Sequence, residues 1–443
     1  MHATSMENMQ KCYDRYVRDG ALMLPGRQAF VLDVGGSDVN GSYRGIFSAP
    51  TFDYRGCDLQ AGPGISIVLQ DPYRIPLADA SVDIVLSGQM LEHCEFFWLS
   101  FAEMMRVVKP DGLLFLIVPS GGPIHRYPVD CYRFYPDSLS ALAKYADCHL
   151  VEYWLDERGP WRDLVGVFSR QPIEKAARRP PAAKPREKKF ERSMEEGAVK
   201  GELSHLEMLK KIHRTLTPAL YLEIGVARGR SLSLARCKAV GVDPSRELSV
   251  DLPPSARFIQ STSDDFFETE ANDALGGPPD LIFIDGLHLC ENALRDFMNA
   301  EKLAAPHGLI VIDDIFPSHP SQAARTRRTK VWTGDVWKMQ AILAKHRPDL
   351  YMLAVDTSPG GLLLVVGLDQ SNRVLWERYN SILKGYRDVE GPPPAILARQ
   401  GAVSPRGPEI SRLLKNLKLA REHGLKPERL TKRLRMRSGQ TAL

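Results

Sequence analysis

The chain has 443 residues, too many for one ordinary hydrophobic core, and this length favours two or three domains. Its apolar fraction of 44% and charged fraction of 25% are those of ordinary globular proteins. No apolar run reaches the roughly 18–20 residues of a membrane span, and the N-terminal segment lacks the apolar core of a signal peptide. We therefore expect no membrane span and a cytoplasmic location.

The net charge of +4 is unevenly distributed along the chain. Ten Lys and Arg residues stand against two Glu residues over 412–437, and nine basic against five acidic residues over 171–200. The remainder therefore carries net negative charge, which argues against a broad nucleic-acid-binding surface. The seven cysteines are scattered without a CxxC pair, so reduced thiols are expected rather than a disulfide framework or a structural zinc site.

Short apolar runs broken by turns follow one another through the first 170 residues. They lie at 29–36, 54–59, 65–71, 82–88 and 112–120, with a helical pattern over 96–112. Continuous apolar runs of this length are typical of parallel strands that are buried on both faces. Two further strand-like runs, CHLVEYW and DLVGVFS, end this half.

The same order of signals returns after a segment rich in Lys, Arg, Glu, Pro and Ala. The second set of apolar runs lies at 219–229, 239–245, 256–265, 279–286 and 308–315. We predict two copies of one α/β architecture, a Rossmann-like domain whose seven-stranded, mostly parallel sheet is closed by an antiparallel pair.

The predicted organisation has four parts. They are a first domain over 1–170, a charged Pro-rich linker over 171–200, a second domain over 201–385 and a basic helical tail over 386–443. The tail is expected to pack on the second domain as a solvated amphipathic helix or to fray. Oligomer contacts and binding of an acidic partner are the alternatives for it.

An acidic residue and a glycine-rich turn follow the first strand of each half. These residues are Asp33, Gly35 and Gly36 in the first half, and Glu223, Gly225 and Gly229 in the second. Glycine at such a turn lets the backbone pass close to a cofactor. Neither turn has the GxGxxG spacing of dinucleotide-binding proteins, which disfavours an NAD(P)-dependent oxidoreductase.

A carboxylate also ends the second strand of each half, Asp58 in the first and Asp243 in the second. A carboxylate in this position can accept hydrogen bonds from both ribose hydroxyls of a nucleoside cofactor. The two halves therefore share the residues expected of a nucleoside-binding edge.

The block over 71–112 reads DPYRIPLADASVDIVLSGQMLEHCEFFWLSFAEMMRVVKPDG. It resembles the small-molecule (type 11) family of class I S-adenosylmethionine-dependent methyltransferases, with its xLPFxDxSFD, LEH and RVLKPGG stretches. The resemblance implies S-adenosylmethionine as the cofactor of these domains. It also implies that Asp71 lies near the adenine.

Four polar residues follow the fourth and fifth strands of the second half, Asp285 and His288, then Asp313 and Asp314. Carboxyl ends of neighbouring parallel strands converge, and three carboxylates there would repel one another without a cation. Oxygen ligands of this kind suit Mg²⁺. The alternative is that Asp313 and Asp314 cap the following loop and line the cofactor cleft without a metal.

The segment IDGLHLCENALRDF is similar to the macrocin-type (type 24) sugar O-methyltransferases. In their metal-dependent members, acids at the positions of Asp285, Asp313 and Asp314 hold magnesium, and Asp285 also lines the cofactor cleft. This chain has Leu287 where some members carry an aspartate that acts as base. His288 is the predicted substitute, and a structural role for it is the alternative.

The loop over 119–139 in the first half carries His125, the predicted base there, among aromatic and charged side chains. We predict O-methylation of a hydroxyl on a sugar, glycan or other small molecule, with no nucleic-acid partner. Two alternatives stay open: one domain that only binds or interacts, and, less favoured, the oxidoreductase. A homo-oligomer is also left open.

Overall fold

The computed structural model describes residues 1–18, 28–39, 41–48, 50–173 and 199–438. Most of the predicted linker over 171–200 lies outside the described residues. The chain divides into two compact units, Met1–Arg179 with Trp376–Lys384, and Pro180–Leu375 with Gly385–Leu443. Within the described residues, no helix is both long enough and apolar enough to cross a bilayer.

The first unit is built on one seven-stranded sheet. Its strands are β1 (Ala29–Val34), β2 (Phe52–Asp58), β3 (Ile65–Val68), β4 (Val82–Gly88), β5 (Val108–Pro119), β6 (His149–Leu155) and β7 (Asp163–Ser169). The strand order is β3-β2-β1-β4-β5-β7-β6, and only β7 runs antiparallel to its neighbours. Its helices are α1 (Ala3–Tyr13), α2 (Phe97–Val107) and α3 (Pro136–Tyr145).

The side chains of successive residues in the buried strands pack on opposite faces of this sheet. Val31 packs in a cluster with Met9 of α1, whereas Leu32 packs in a second cluster with Phe101 of α2 and Leu139 of α3. Because both faces are covered, the strands read as continuous apolar runs rather than as alternating patterns.

The second unit repeats this sheet. Its strands are β8 (Leu203–Ser204), β9 (Leu220–Ile224), β10 (Lys238–Asp243), β11 (Ala256–Gln260), β12 (Leu281–Ile284), β13 (Leu309–Asp313), β14 (Tyr351–Val355), β15 (Thr357–Ser358) and β16 (Leu362–Val366). The main sheet has the order β11-β10-β9-β12-β13-β16-β14, and β8 and β15 form a separate pair. The predicted pair of doubly wound α/β domains is confirmed.

Nine helices are described after the first unit's sheet. They are α4 (His205–Leu216), α5 (Ser263–Thr269), α6 (Ala271–Leu275), α7 (Cys290–Leu303), α8 (Lys338–His346), α9 (Val374–Tyr386), α10 (Pro394–Leu397), α11 (Pro408–Glu422) and α12 (Pro427–Ser438). The middle of α9, Trp376–Lys384, groups with the first unit.

The two helices of the basic tail contribute to the core of the second unit. Leu413, Leu414 and Leu417 of α11 and Leu430 of α12 are buried in the cluster that also contains β9 and β13. The charged residues of α11, such as Lys415, lie on its exposed face. The tail is therefore packed on the domain, one of the two expected outcomes, because its apolar stripe covers the outer face of the sheet.

Truncation of one tail leucine tests this packing. We expect Leu414→Ala to lower the free energy of unfolding of the second unit by about 2–5 kcal/mol, because it removes a fully buried side chain. Lys415→Ala, its exposed neighbour on the same helix, should change it by less than about 0.5 kcal/mol. Denaturant titration with peptide-resolved hydrogen exchange measures both, and equal effects would contradict a packed tail.

Candidate functional site

The buried acid of the first unit is Asp33, near the end of β1. It is 1% exposed, and Tyr54 Oη donates a hydrogen bond to its Oδ2. Its Oδ1 is buried and has no hydrogen-bond partner among the described residues. Burial raises the pKa of Asp33 to about 6. A buried carboxylate oxygen without a partner is costly unless a ligand supplies a donor.

The glycine turn beside Asp33 leaves no room for side chains. Gly35 has a φ of +79°, and a Cβ on it would lie 2.6 Å from Met90 Cγ. A Cβ on Gly36 would lie 2.8 Å from Asp33 Cγ. The Gly35 N–H donates to the Cys57 carbonyl oxygen at 2.8 Å, which ties the turn to the end of β2.

The other two predicted acids of the first unit follow the next strands of the same edge. Asp58 ends β2, and its Oδ1 accepts the Leu59 N–H at 2.7 Å. Asp71 follows β3 and is exposed, and its Oδ1 accepts the Tyr73 N–H at 2.8 Å. Because β1, β2 and β3 are parallel neighbours, the fold brings Asp33, Asp58 and Asp71 to one edge.

His125 lies on the exposed loop that follows β5. Its backbone N–H donates to Asp130 Oδ2 at 2.5 Å, and Arg133 holds that carboxylate at 2.6 Å. The His125 ring centroid lies 5.5 Å from those of both His93 and Trp161. The loop is therefore pinned by an ion pair and by aromatic contacts.

The second unit buries its acid completely. Glu223 accepts hydrogen bonds from Tyr221 Oη at 2.7 Å and from Ser231 Oγ at 2.5 Å. Burial nevertheless raises the pKa of Glu223 to about 8. Ser231 was not among the predicted site residues, although a hydroxyl just after the glycine turn was visible in the sequence.

The glycine turn of the second unit contacts the end of the neighbouring strand β12. Gly225 has a φ of +88°, and a Cβ on it would lie 2.0 Å from the Asp285 carbonyl oxygen. Gly229, with a φ of +81°, packs against Leu248. Asp243 lies beside this turn, and its carboxylate accepts the Ala227 N–H at 2.9 Å.

Three side chains of the second unit converge where β12 and β13 end. Among the described residues, Asp285, His288 and Asp314 form the one group able to share a metal ion, with ligand atoms all within 4.8 Å of one another. His288 Nε2 lies 3.3 Å from Asp285 Oδ1, and His288 Nδ1 lies 3.0 Å from Asp314 Oδ2.

His288 is fixed between the two carboxylates. Its ring stacks on Trp332 with centroids 5.1 Å apart, and its Nδ1 lies 2.6 Å from the Trp332 carbonyl oxygen. Burial alone would lower its pKa, but the charges of Asp314 and Asp285 raise the pKa of His288 to about 10.

The third predicted acid, Asp313, points elsewhere. Its Oδ1 accepts the Asp314 N–H at 2.8 Å, and its Oδ2 lies 3.9 Å from His205 Nδ1. Burial raises the pKa of Asp313 to about 6. His205 opens α4, far from Asp313 in sequence, so only the tertiary structure brings it to the site.

Two regions of the chain match family models described as a methyltransferase domain, at residues 49–116 and 222–315. Each match falls within one of the two sheets. The first covers β2 to β5 and the second covers β9 to β13.

Curated relatives include uncharacterized methyltransferases of Mycobacterium ulcerans and Mycobacterium marinum. They are 35% and 34% identical over 136 residues, which covers 27% of this chain and 50% of each relative. The chain thus spans about half the length of the curated relatives it matches.

Solved structures with a similar fold include an O-methyltransferase from Bacillus cereus in complex with S-adenosylhomocysteine. It is 17% identical with a TM-score of 0.29, covering 37% of this chain and 82% of that one. A 1,6-didemethyltoxoflavin-N1-methyltransferase of Burkholderia thailandensis is 19% identical with a TM-score of 0.27, covering 37% and 83%. The two matched methyltransferase domains and the repeated strand order support a place for this chain in the class I S-adenosylmethionine-dependent methyltransferase superfamily.

Proposed function

We propose that each unit binds S-adenosylmethionine where its first two strands end, and that the protein methylates hydroxyls of a small-molecule acceptor, foremost a sugar or glycan. The recurrence of one arrangement in both units carries this proposal. Each unit has a buried acid, a glycine turn with no room for side chains, and a carboxylate that ends the second strand.

The residues of the cleft fit such a cofactor. The unpartnered Oδ1 of Asp33 can accept a donor from the ligand, and the turn at Gly35 and Gly36 lets the backbone approach it. Asp58 and Asp243 are proposed to accept the ribose hydroxyls, with Asp71 near the adenine of the first unit. When bound, the cofactor supplies a methyl group activated by its sulfonium.

The second unit is proposed to hold a divalent cation on Asp285, His288 and Asp314. Two carboxylates and one imidazole could bind either Mg²⁺ or Mn²⁺. Mg²⁺ has the stronger preference for oxygen ligands, so the imidazole suits Mn²⁺ better. Such an ion would lower the pKa of a coordinated hydroxyl. This cluster favours a hydroxyl acceptor, and the sugar class follows from the resemblance of this domain to macrocin-type enzymes.

His288 has a second proposed role, as the base of the second unit. A histidine held by two carboxylates can take a proton from an acceptor hydroxyl only when it is neutral and not bound to metal. His288 therefore cannot be a metal ligand and the base at the same time. Whether activity in the second unit depends on a metal ion would distinguish the two roles. His125, on the loop after β5, remains the predicted base of the first unit.

Calorimetry with S-adenosylhomocysteine tests the two proposed cofactor sites. We expect two sites in the intact chain, one lost in Asp58→Ala and the other in Asp243→Ala, because each carboxylate serves its own unit. A single site would make one unit a binding or interaction module. If no heat of S-adenosylhomocysteine binding is detected under any condition, the methyltransferase proposal is contradicted. Nicotinamide cofactors would then return to consideration.

The turn of the second unit gives a second test. Gly225→Ala should weaken the second binding event by at least about tenfold, because the methyl group would meet the Asp285 carbonyl oxygen at a positive φ. Gly277→Ala, in the same unit and in open space, is the matched control. Equal binding by both variants would place the ligand away from this turn.

Thermal shift measurements with Mg²⁺ and Mn²⁺ test the metal. We expect either ion to raise the Tm of the second unit, and Asp314→Asn to abolish the shift because its carboxylate belongs to the converging group. Asp313→Asn should keep most of it, since that carboxylate faces His205. Loss of the Tm shift in both variants would mean that Asp285, Asp313 and Asp314 hold the ion, as the sequence predicts. No Tm shift in the wild-type protein would favour His288 as the base.

A further inference from the structure

A histidine and an aspartate pair in the first unit, apart from the residues that the sequence singles out. His2 precedes α1, and Asp163 opens β7. His2 Nε2 lies 3.0 Å from both Oδ1 and Oδ2 of Asp163. Asp163 is fully buried, whereas the His2 side chain is 19% exposed, so the imidazole faces both the carboxylate and an accessible space.

Other donors hold Asp163 in one orientation. Thr4 Oγ1 donates to its Oδ2 at 2.8 Å, and Gln89 Nε2 donates to its Oδ1 at 3.0 Å. Since the carboxylate accepts, His2 Nε2 must carry a proton, and in the neutral ring the lone pair is then on Nδ1. No group among the described residues hydrogen-bonds that Nδ1. A base oriented by a buried carboxylate is the arrangement that activates nucleophiles in many enzymes.

The pair lies beside the proposed cofactor turn. Gln89 directly follows β4, and the next residue, Met90, is the one that a Cβ on Gly35 would meet. Asp163 pairs with Pro119 at the end of β5. In open α/β sheets, ligands bind outside the carboxyl ends of the strands. An acceptor that binds over the ends of β4 and β5 would therefore lie at the same edge of the sheet as His2 and Asp163.

The surroundings favour a neutral acceptor over an anionic one. Glu92, which follows β4, is 4% exposed, and its Oε2 has no partner among the described residues. Burial raises the pKa of Glu92 to about 8, the charge of Arg133 opposes this rise, and the charges of Asp130 and Asp163 add to it. A phosphate or carboxylate would meet the negative charge of Asp163 here, whereas a hydroxyl would not.

We propose that His2 is the general base of the first unit, positioned by Asp163, and that its acceptor is a neutral hydroxyl. The inference rests on the proposed methyl transfer. The hydroxyl proton passes to His2 Nδ1 while the acceptor oxygen bonds to the methyl carbon. The bond from that carbon to the sulfonium sulfur breaks, and its electron pair stays on sulfur. The products are a methyl ether, S-adenosylhomocysteine and a histidinium paired with Asp163.

His125, the base that the sequence predicts, lacks this support. Its hydrogen bond to Asp130 comes from the backbone, and its ring contacts aromatic side chains on an exposed loop. Of these two histidines, His2 is the one whose imidazole is oriented by a carboxylate. His125 is thus better suited to contact the acceptor than to take its proton.

NMR with ¹³C-methyl S-adenosylmethionine tests the proposal. The protein is the full chain with Asp243→Ala, so that only the proposed cofactor site of the first unit binds the probe. A methyl carbon about 3 Å from an acceptor oxygen, and a base about 3 Å beyond it, put the two groups within NOE range. We expect an NOE from the bound methyl to a His2 ring proton, assigned by its loss in His2→Gln. A bound methyl without this NOE would overturn the inference, whereas no bound methyl would overturn the proposed function.

The role of Asp163 has its own readout in ¹⁵N-labelled protein. We expect the neutral His2 ring to carry its proton on Nε2, and Asp163→Asn to abolish this preference while cofactor binding persists. Gln10→Ala, on the exposed side of α1, should alter neither signal. A proton on Nδ1 in the wild type would overturn the assignment of His2 as base.

Discussion

The close approach of a glycine turn to the neighbouring strand end is the constraint on which both sites depend. In the second unit the Gly225 backbone lies against the Asp285 carbonyl, and in the first Gly35 lies against Met90. Any side chain at these positions would push the strands apart or fill the space above them. The parallel strand order then brings the acids of neighbouring strands to this one edge. Backbone geometry thus leaves room for the proposed cofactor before any side chain contributes.

A buried acid lies beneath each glycine turn, and the two units supply it with different hydrogen-bond donors. Glu223 has donors for both oxygens, Tyr221 and Ser231, whereas Asp33 has Tyr54 on one oxygen and an unpartnered second oxygen. Burial raises both pKa values, to about 8 for Glu223 and about 6 for Asp33. The two units therefore share a buried acid but differ in the hydrogen bonds around it.

The proposed acceptor sides of the two units differ more than their proposed cofactor sides. The second unit gathers carboxylates around His288, a group suited to a cation, and the first pairs His2 with the buried Asp163. Under the proposals above, the second unit would activate a hydroxyl with a metal ion and the first would use a carboxylate-oriented base. Two different means of removing a proton would suit two different hydroxyls rather than two copies of one reaction.

The sequence by itself determined the doubled α/β architecture, with an acid and glycines at the strand ends of each half. Continuous apolar runs mark buried parallel strands, and an acid or glycine at a strand end keeps its place whatever packs around it. Tertiary structure alone decided which side chains meet. His205 reaches Asp313 from another helix, His288 rather than Asp313 joins Asp285 and Asp314, and the apolar stripe of α11 enters the core. Contacts between residues distant in the chain depend on packing and side-chain orientation, and neither leaves a periodic or local signal in the sequence.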